Sequence, residues 1–177
     1  DGKIQATVAR AADFYGPNAG AVSVLNEGAL KPLLAGKPAN WFGSKKVPHS
    51  FTYTKDAAKA TAILGNSDKA WGEEWHLPTS KEELTGEDFV QQLAALTGKK
   101  AKIQVANAFL LRIMGLFIPV MREFPEMLYQ YKQPYRFNSD KFEKAFGMKP
   151  TTYREGLLAT VQAEEWWEDE KKRRIEE

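Results

Sequence analysis

"ARAADFYGP", Ala9 to Pro17, is the stretch on which the reading of the fold turns. It continues the apolar run "KIQATVA" (residues 3–9), and together they predict a β-strand that runs into a tight turn at Gly16–Pro17. A strand needs neighbours. Opening on one that reads as a late, interior strand of a larger sheet leaves both edges and at least one apolar face to be covered by something else.

The remainder of the chain is ample for one packed core. With 177 residues, 43% of them apolar and 12% aromatic, the composition predicts a single globular domain rather than a disordered chain. Lys and Arg number 25 against 23 Asp and Glu, a balance that gives no reason to expect nucleic acid or a membrane as a partner. There is no cysteine and there are two histidines. That excludes disulfides, thiol nucleophiles and thiolate metal sites, argues against a multi-histidine metal centre, and fits a cytoplasmic protein. No basic segment leads into an apolar core at the N-terminus, so no signal peptide is visible. The longest apolar stretch, "ANAFLLRIMGLFIPVM" (residues 106–121), carries Arg112 and Pro119 and reads as a buried helix rather than a membrane span.

Outward from the first strand, Val22, Leu25, Ala29 and Leu33 recur at helical spacing until "AGKP" stops them. "ANWFG" and "SFTYT" read as short strands on either side of the polar loop "SKKVPH", with Phe51 and Tyr53 on one face. Asp56 stands where an N-cap would, before "AAKATAIL", with Gly65 as the stop. "GEEWHLP" is a strand with Trp75 and Leu77 on one face and His76 on the other, and "AKIQV" is another. Thr85/Asp88 and Thr152/Glu155 have capping-box spacing at the heads of two helices, and Ser139 caps a short one that carries Phe142 and Phe146. The tail "EEWWEDEKKRRIEE" reads as a solvated helical extension laced by i,i+4 pairs, which makes 1–162 the body and 163–177 the extension. Strands separated by helices indicate an α/β class, α+β-like because the strands are few and short.

No G-x-G-x-x-G, G-x-x-G-x-x-G or G-x-x-x-x-G-K-[ST] loop occurs, and neither does Y-x-x-x-K or G-x-S-x-G. The motifs that are present carry a resemblance. "VARAADFYGP", "PLLAGKPANWFG", "PHSFTYTKDAAKA", "GEEWHLP" and "FNSDKFEKAFGMKPTTYREGLLATV", in this order and across residues 3–162, are similar to the C-terminal half of extended short-chain dehydrogenases/reductases of the NAD-dependent epimerase/dehydratase family. The resemblance implies the C-terminal part of a Rossmann-type fold, with the N-terminal nucleotide-binding half and its Y-x-x-x-K pair absent. It also answers the opening difficulty. "ARAADFYGP" would be a late strand of the Rossmann sheet and the loop at its carboxyl end, where open α/β sheets place ligands.

Residue by residue, the resemblance sets Arg10 at the head of an R-x-x-N-x-Y-G-P pattern in which Asp13 takes the Asn position. It puts Ala12 and Phe14 beside the nicotinamide of NAD or NADP in the intact enzyme, and Asp13 and Tyr15 beside the substrate. Asp for Asn exchanges a donor and acceptor for an anionic acceptor, or it satisfies backbone donors in a turn. His49 stands where the family's R-D-F-x-Y-V-x-D segment has an Arg that grips phosphate, and an imidazole is a weak constitutive clamp. Its alternative is a surface loop histidine. Trp41 and Phe42 line a substrate pocket by the same resemblance, or pack in the core. The stripe Phe109, Met114, Phe117, Met121, Phe124 and Met127 reads as helical core or as a lid. Arg112, Arg122 and Arg136 remain as anion-binding candidates, of which Arg122 joins the substrate set.

The implied function is that of the substrate-binding portion of an NAD(P)-dependent epimerase, dehydratase or oxidoreductase, which acts on a carbonyl or carbinol carbon of a small molecule such as a nucleotide sugar. By this reading the chain alone neither holds the cofactor nor catalyses. A reading from a different class makes it a non-catalytic binding or regulatory module that completes its sheet on another chain.

Overall fold

The computed structural model describes residues 4–20, 23–106, 126 and 128–176. In chain order the strands are β1 Val8–Arg10, β2 Asp13–Tyr15, β3 Ala39–Phe42, β4 Phe51–Tyr53, β5 Glu74–His76 and β6 Ile103–Ala106. The α-helices among the described residues are α1 Lys31–Leu34, α2 Thr54–Gly65, α3 Gly86–Thr97, α4 Asp140–Phe146 and α5 Tyr153–Glu176. A π-type helical segment, Val24–Leu30, leads into α1. The class is α/β, with every strand pair parallel: β1 with β5, β2 with β4, β3 with β6. Parallel pairing follows from the connections, since each partner is reached through a long crossover that contains helix.

The chain divides into two compact units, one of Asp1–Ser23, Ser50–Glu82 and Phe137–Glu177, the other of Val24–His49 and Glu83–Arg136. The sequence predicts no such division. Both units are assembled from separated segments that meet in ordinary loops, so no linker composition marks the boundary. The expected border between 162 and 163 falls inside α5, which runs unbroken to Glu176.

In the first unit α2 presents Ala57, Ala60 and Leu64 to Trp75, Leu77, Phe142 and Met148. Trp75 stands edge-on to Phe142 and Phe146, with centroids 6.1 and 4.9 Å away. Lys141 lies over the indole at 4.4 Å and pairs with Glu73. α2 starts at Thr54, so Asp56 is not its N-cap as the sequence predicts. It sits buried in the first turn and accepts the amide of Thr151 at 2.6 Å and the Thr151 hydroxyl at 2.9 Å. The head of α5 is held by further carboxylates. Glu82 accepts the Tyr153 amide at 2.9 Å, and Thr152 and Glu155 make the expected reciprocal cap.

The second unit buries Leu25, Ala29, Leu33, Trp41, Phe89, Val90 and Leu93. Thr85 and Asp88 close the capping box of α3, and Gly98 ends that helix in the left-handed region, both as the sequence predicts. The stretch "ANAFLLRIMGLFIPVM" beyond Ala106 lies outside the described residues, as does the aromatic and methionine stripe. No helix among the described residues is long and apolar enough to cross a membrane.

Candidate functional site

The strand read from "ARAADFYGP" is two strands. Residues 8–10 pair with β5, and Leu77 donates its amide to the Arg10 carbonyl at 2.8 Å. Two residues later the chain changes partner: Asp13, Phe14 and Tyr15 run beside Phe51, Thr52 and Tyr53 of β4. The sequence predicts one strand running into the turn at Gly16–Pro17 and no change of partner at Asp13. Three residues carry too little alternation to announce a strand of their own, and the pairing with β4 imposes it. The chain then turns at Gly16, whose φ of 136° suits glycine, as the expected turn at Gly16–Pro17 requires.

At this fork the predicted residues separate by role. Ala12 is buried and donates its amide to the Thr52 hydroxyl at 2.9 Å. Phe14 is 40% exposed and Asp13 half-buried, so both reach the surface. Tyr15 does not. It is 1% exposed, with Tyr53 and Tyr153 at ring distances of 5.4 and 5.8 Å and its hydroxyl against Gly156. Its hydroxyl finds no hydrogen-bond partner among the described residues. Burial, with Tyr153 alongside, pushes the Tyr15 phenol far above its ordinary range.

Tyr153 is the contrasting case. Burial pushes it up to about 12, although its oxygen accepts the Phe51 amide at 2.9 Å. Tyr15→Phe removes a hydroxyl without a partner and is expected to leave stability unchanged or raise it by about 1 kcal/mol. Tyr153→Phe orphans the Phe51 amide and is expected to cost about 1–3 kcal/mol in urea unfolding. Both folded-state values lie above that of an unfolded tyrosine, near 10. The stability they carry is therefore complete below pH 10 and is lost as the pH rises from 10 toward 12, and Tyr15→Phe shifts that loss to higher pH.

In the second unit β3 alternates. Ala39 and Trp41 are buried, while Asn40 and Phe42 share the outer face. Trp41 lies at 6.4 Å from Phe89, near-parallel, and edge-on to Tyr131. His49 is 2% exposed and stacked on Tyr131 at 4.4 Å and beside Tyr135 at 4.8 Å. The alternative of a surface histidine is thus not what the structure holds.

The outer face of β3 borders a cleft of about 450 Å³ lined by Glu27, Lys31, Pro32, Lys37, Asn40 and Gln104 with the turn between them. That volume lies within the range of small-molecule sites. Lys31 pairs with Glu27 at 2.5 Å, whereas Lys37 has no carboxylate partner among the described residues. Sequence reasoning passed over both lysines. The signal available was the pair of Lys-Pro steps, Lys31-Pro32 and Lys37-Pro38, which bracket α1.

The remaining candidates are accounted for. Arg136 is gripped by both oxygens of Glu83 at 2.5 and 2.9 Å. His76 meets the Asn138 carbonyl at 2.8 Å, the partner type expected of a strand histidine. Arg112 and Arg122 lie outside the described residues. No metal-binding cluster occurs among the described residues.

No protein-family model and no curated protein sequence matches the chain. Solved structures do. An epimerase from Methanothermobacter thermautotrophicus is 19% identical with a TM-score of 0.74, over 96% of this chain and 46% of its own. UDP-glucuronic acid 4-epimerase from Bacillus cereus, solved with UDP-glucuronic acid and NAD, is 21% identical with a TM-score of 0.68, over 89% and 44%. dTDP-glucose 4,6-dehydratase from Bacillus anthracis, solved with NAD, is 21% identical with a TM-score of 0.69, over 92% and 45%. The chain spans less than half the length of each of these structures, and over that length it has the α/β fold of NAD-dependent epimerases and dehydratases.

Proposed function

We propose that this chain is the substrate-binding part of an NAD(P)-dependent epimerase, dehydratase or related oxidoreductase, acting at a carbinol or carbonyl carbon of an anionic substrate such as a nucleotide sugar. The observation that carries the reading is the fork. One strand gives up β5 for β4 between Arg10 and Asp13, and open α/β sheets bind ligands where neighbouring strands part at their carboxyl ends. Asp13 and Phe14 reach the surface there. The similar Bacillus cereus structure was solved with UDP-glucuronic acid and NAD, which supports the same class of ligand.

The chain's own residues fit one side of such a cofactor. NAD supplies hydride transfer when bound. Phe14 would lie against the nicotinamide ring and keep water from it, while the buried Ala12 would hold the main chain beneath. Asp13 would accept hydrogen bonds from sugar hydroxyls. The second unit, taken by itself, has a cleft in which Lys31, Lys37 and Asn40 would take a phosphate-bearing group. Tyr15 and Trp41 support these surfaces from the core, and His49 braces Tyr131 rather than touching substrate. No phosphate loop for a dinucleotide exists in the sequence.

Calorimetric titration of the chain with UDP-glucuronic acid, UDP-glucose, NAD and NADP tests this. Saturable binding of a sugar nucleotide with no uptake of dinucleotide is expected. Tight, stoichiometric NAD or NADP binding, or indifference to both sugar nucleotides, overturns it. A second reading, that the chain is a non-catalytic module completed by another chain, draws on β1, whose three residues are all exposed and whose preceding Ile4 is 87% exposed.

A further inference from the structure

Where the chain leaves β5 for β4, a set of buried hydroxyls fills the gap. Thr79 gives its proton to the Leu77 carbonyl at 3.0 Å, so in its 2.7 Å contact with Thr52 it accepts and Thr52 donates. With its only proton committed, Thr52 accepts the Ala12 amide at 2.9 Å. The series is therefore directional, from Ala12 through Thr52 and Thr79 to Leu77. Leu77 returns to the strand by donating its amide to Arg10. Thr52 and Thr79 are 0% and 1% exposed, and Ser139, wholly buried, accepts the Thr79 amide at 3.2 Å while donating to Glu143.

A parting of strands leaves a backbone donor without a ladder partner. Ala12 is that residue, and a side chain on β4 substitutes for the missing carbonyl. Packing alone does not require a hydroxyl, since valine has the same shape. We infer that Thr52, held by Thr79, is a positioning residue: it fixes the main chain at Ala12 and so presents Asp13 and Phe14 at the fork. The inference rests on the preceding reading of the fork as the ligand-facing element, and its test separates the two.

Amide hydrogen exchange is measured on the full chain and on T52V, T52S and T79V. T52V is expected to speed exchange at Ala12 at least tenfold while the Leu77 amide stays within threefold, and T52S to restore Ala12. T79V moves Ala12 in the same direction by a smaller factor, and the T52V/T79V double variant goes no further than T52V. Equal Ala12 exchange in T52V and the parent, or T52S as fast as T52V, overturns the inference. If T52V fails to fold, T52S and T79V decide it by the same amide.

The second arm titrates UDP-glucuronic acid. T52V is expected to weaken binding at least fivefold, with T52S within twofold of the parent. T52V binding as tightly as the parent overturns the positioning role even if exchange responds. A parent chain that binds no UDP-glucuronic acid overturns the functional reading instead and leaves the hold on Ala12 to be judged by exchange.

Discussion

Replacing Gly156 with alanine is expected to destabilise the chain by about 2 kcal/mol or more, although helix propensity alone predicts a gain of about 1 kcal/mol at an interior position. A Cβ at this point of α5 would stand 2.8 Å from Cζ and 3.0 Å from Cε2 of Tyr15, and closer still to its hydroxyl oxygen. The ring has nowhere to retreat. It is buried against Tyr53 and Tyr153, and Tyr153 is itself tied to the Phe51 amide. Urea unfolding checks the magnitude. Tyr15→Leu in the Gly156→Ala background removes the ring atoms that clash and is expected to recover most of the loss, a non-additivity that distance alone would not give. A Gly156→Ala chain as stable as its parent would mean that Tyr15 is not seated on α5.

The contact also shows where sequence reading ended. The spacing of Leu25, Ala29 and Leu33, the capping boxes at Thr85 and Thr152, and the alternation in "GEEWHLP" all rest on neighbours within a few residues, and each appears where the sequence puts it. What was not legible depends on partners far along the chain. β2 exists because β4 lies beside it, 38 residues away at Asp13–Phe51. Asp56 looks like a cap because its real partner, Thr151, is 95 residues downstream. His49 sits in a polar-looking loop, yet Tyr131 and Tyr135 bury it, and nothing near residue 49 announces them.

The candidate site divides along the same line. Asp13 and Phe14 entered the reading through the resemblance carried by "ARAADFYGP", and the structure shows that both reach the surface. Tyr15 stood in the same motif and went to the core, on the face opposite its neighbour Phe14, because strand faces alternate. Lys31 and Lys37 were passed over because two lysines close together draw no notice in a mixed-charge sequence with a net charge of +2, and the cleft they line is completed by Gln104 of β6, far along the chain.

Trp41 and Phe42 put this separation to its sharpest test, because the resemblance assigns both to a substrate pocket and β3 sends them to opposite faces. Trp41→Ala is expected to cost about 3–5 kcal/mol, the range for emptying a large buried aromatic site. The indole is 1% exposed, lies near-parallel to Phe89, and fits so closely over Gly86 that a Cβ there would be 2.6 Å from Nε1 and 2.8 Å from Cδ2. Phe42 is half-buried and meets Tyr131 edge-on at 5.9 Å, so Phe42→Ala is expected to cost about 1–2 kcal/mol, the share of a partly covered ring. Binding reverses the order. Phe42 shares its strand face with Asn40, which lines the cleft, and its loss is expected to weaken UDP-glucuronic acid binding tenfold in a chain that remains folded at 25 °C. Trp41→Phe keeps most of the packing and is expected to bind within threefold of the parent. Unfolding by urea and calorimetric titration, run on the same three variants, separate the two effects. Should Trp41→Phe lose binding while Phe42→Ala retains it, the ligand lies on the opposite face of β3 and the cleft beside Lys31 and Lys37 is not its site.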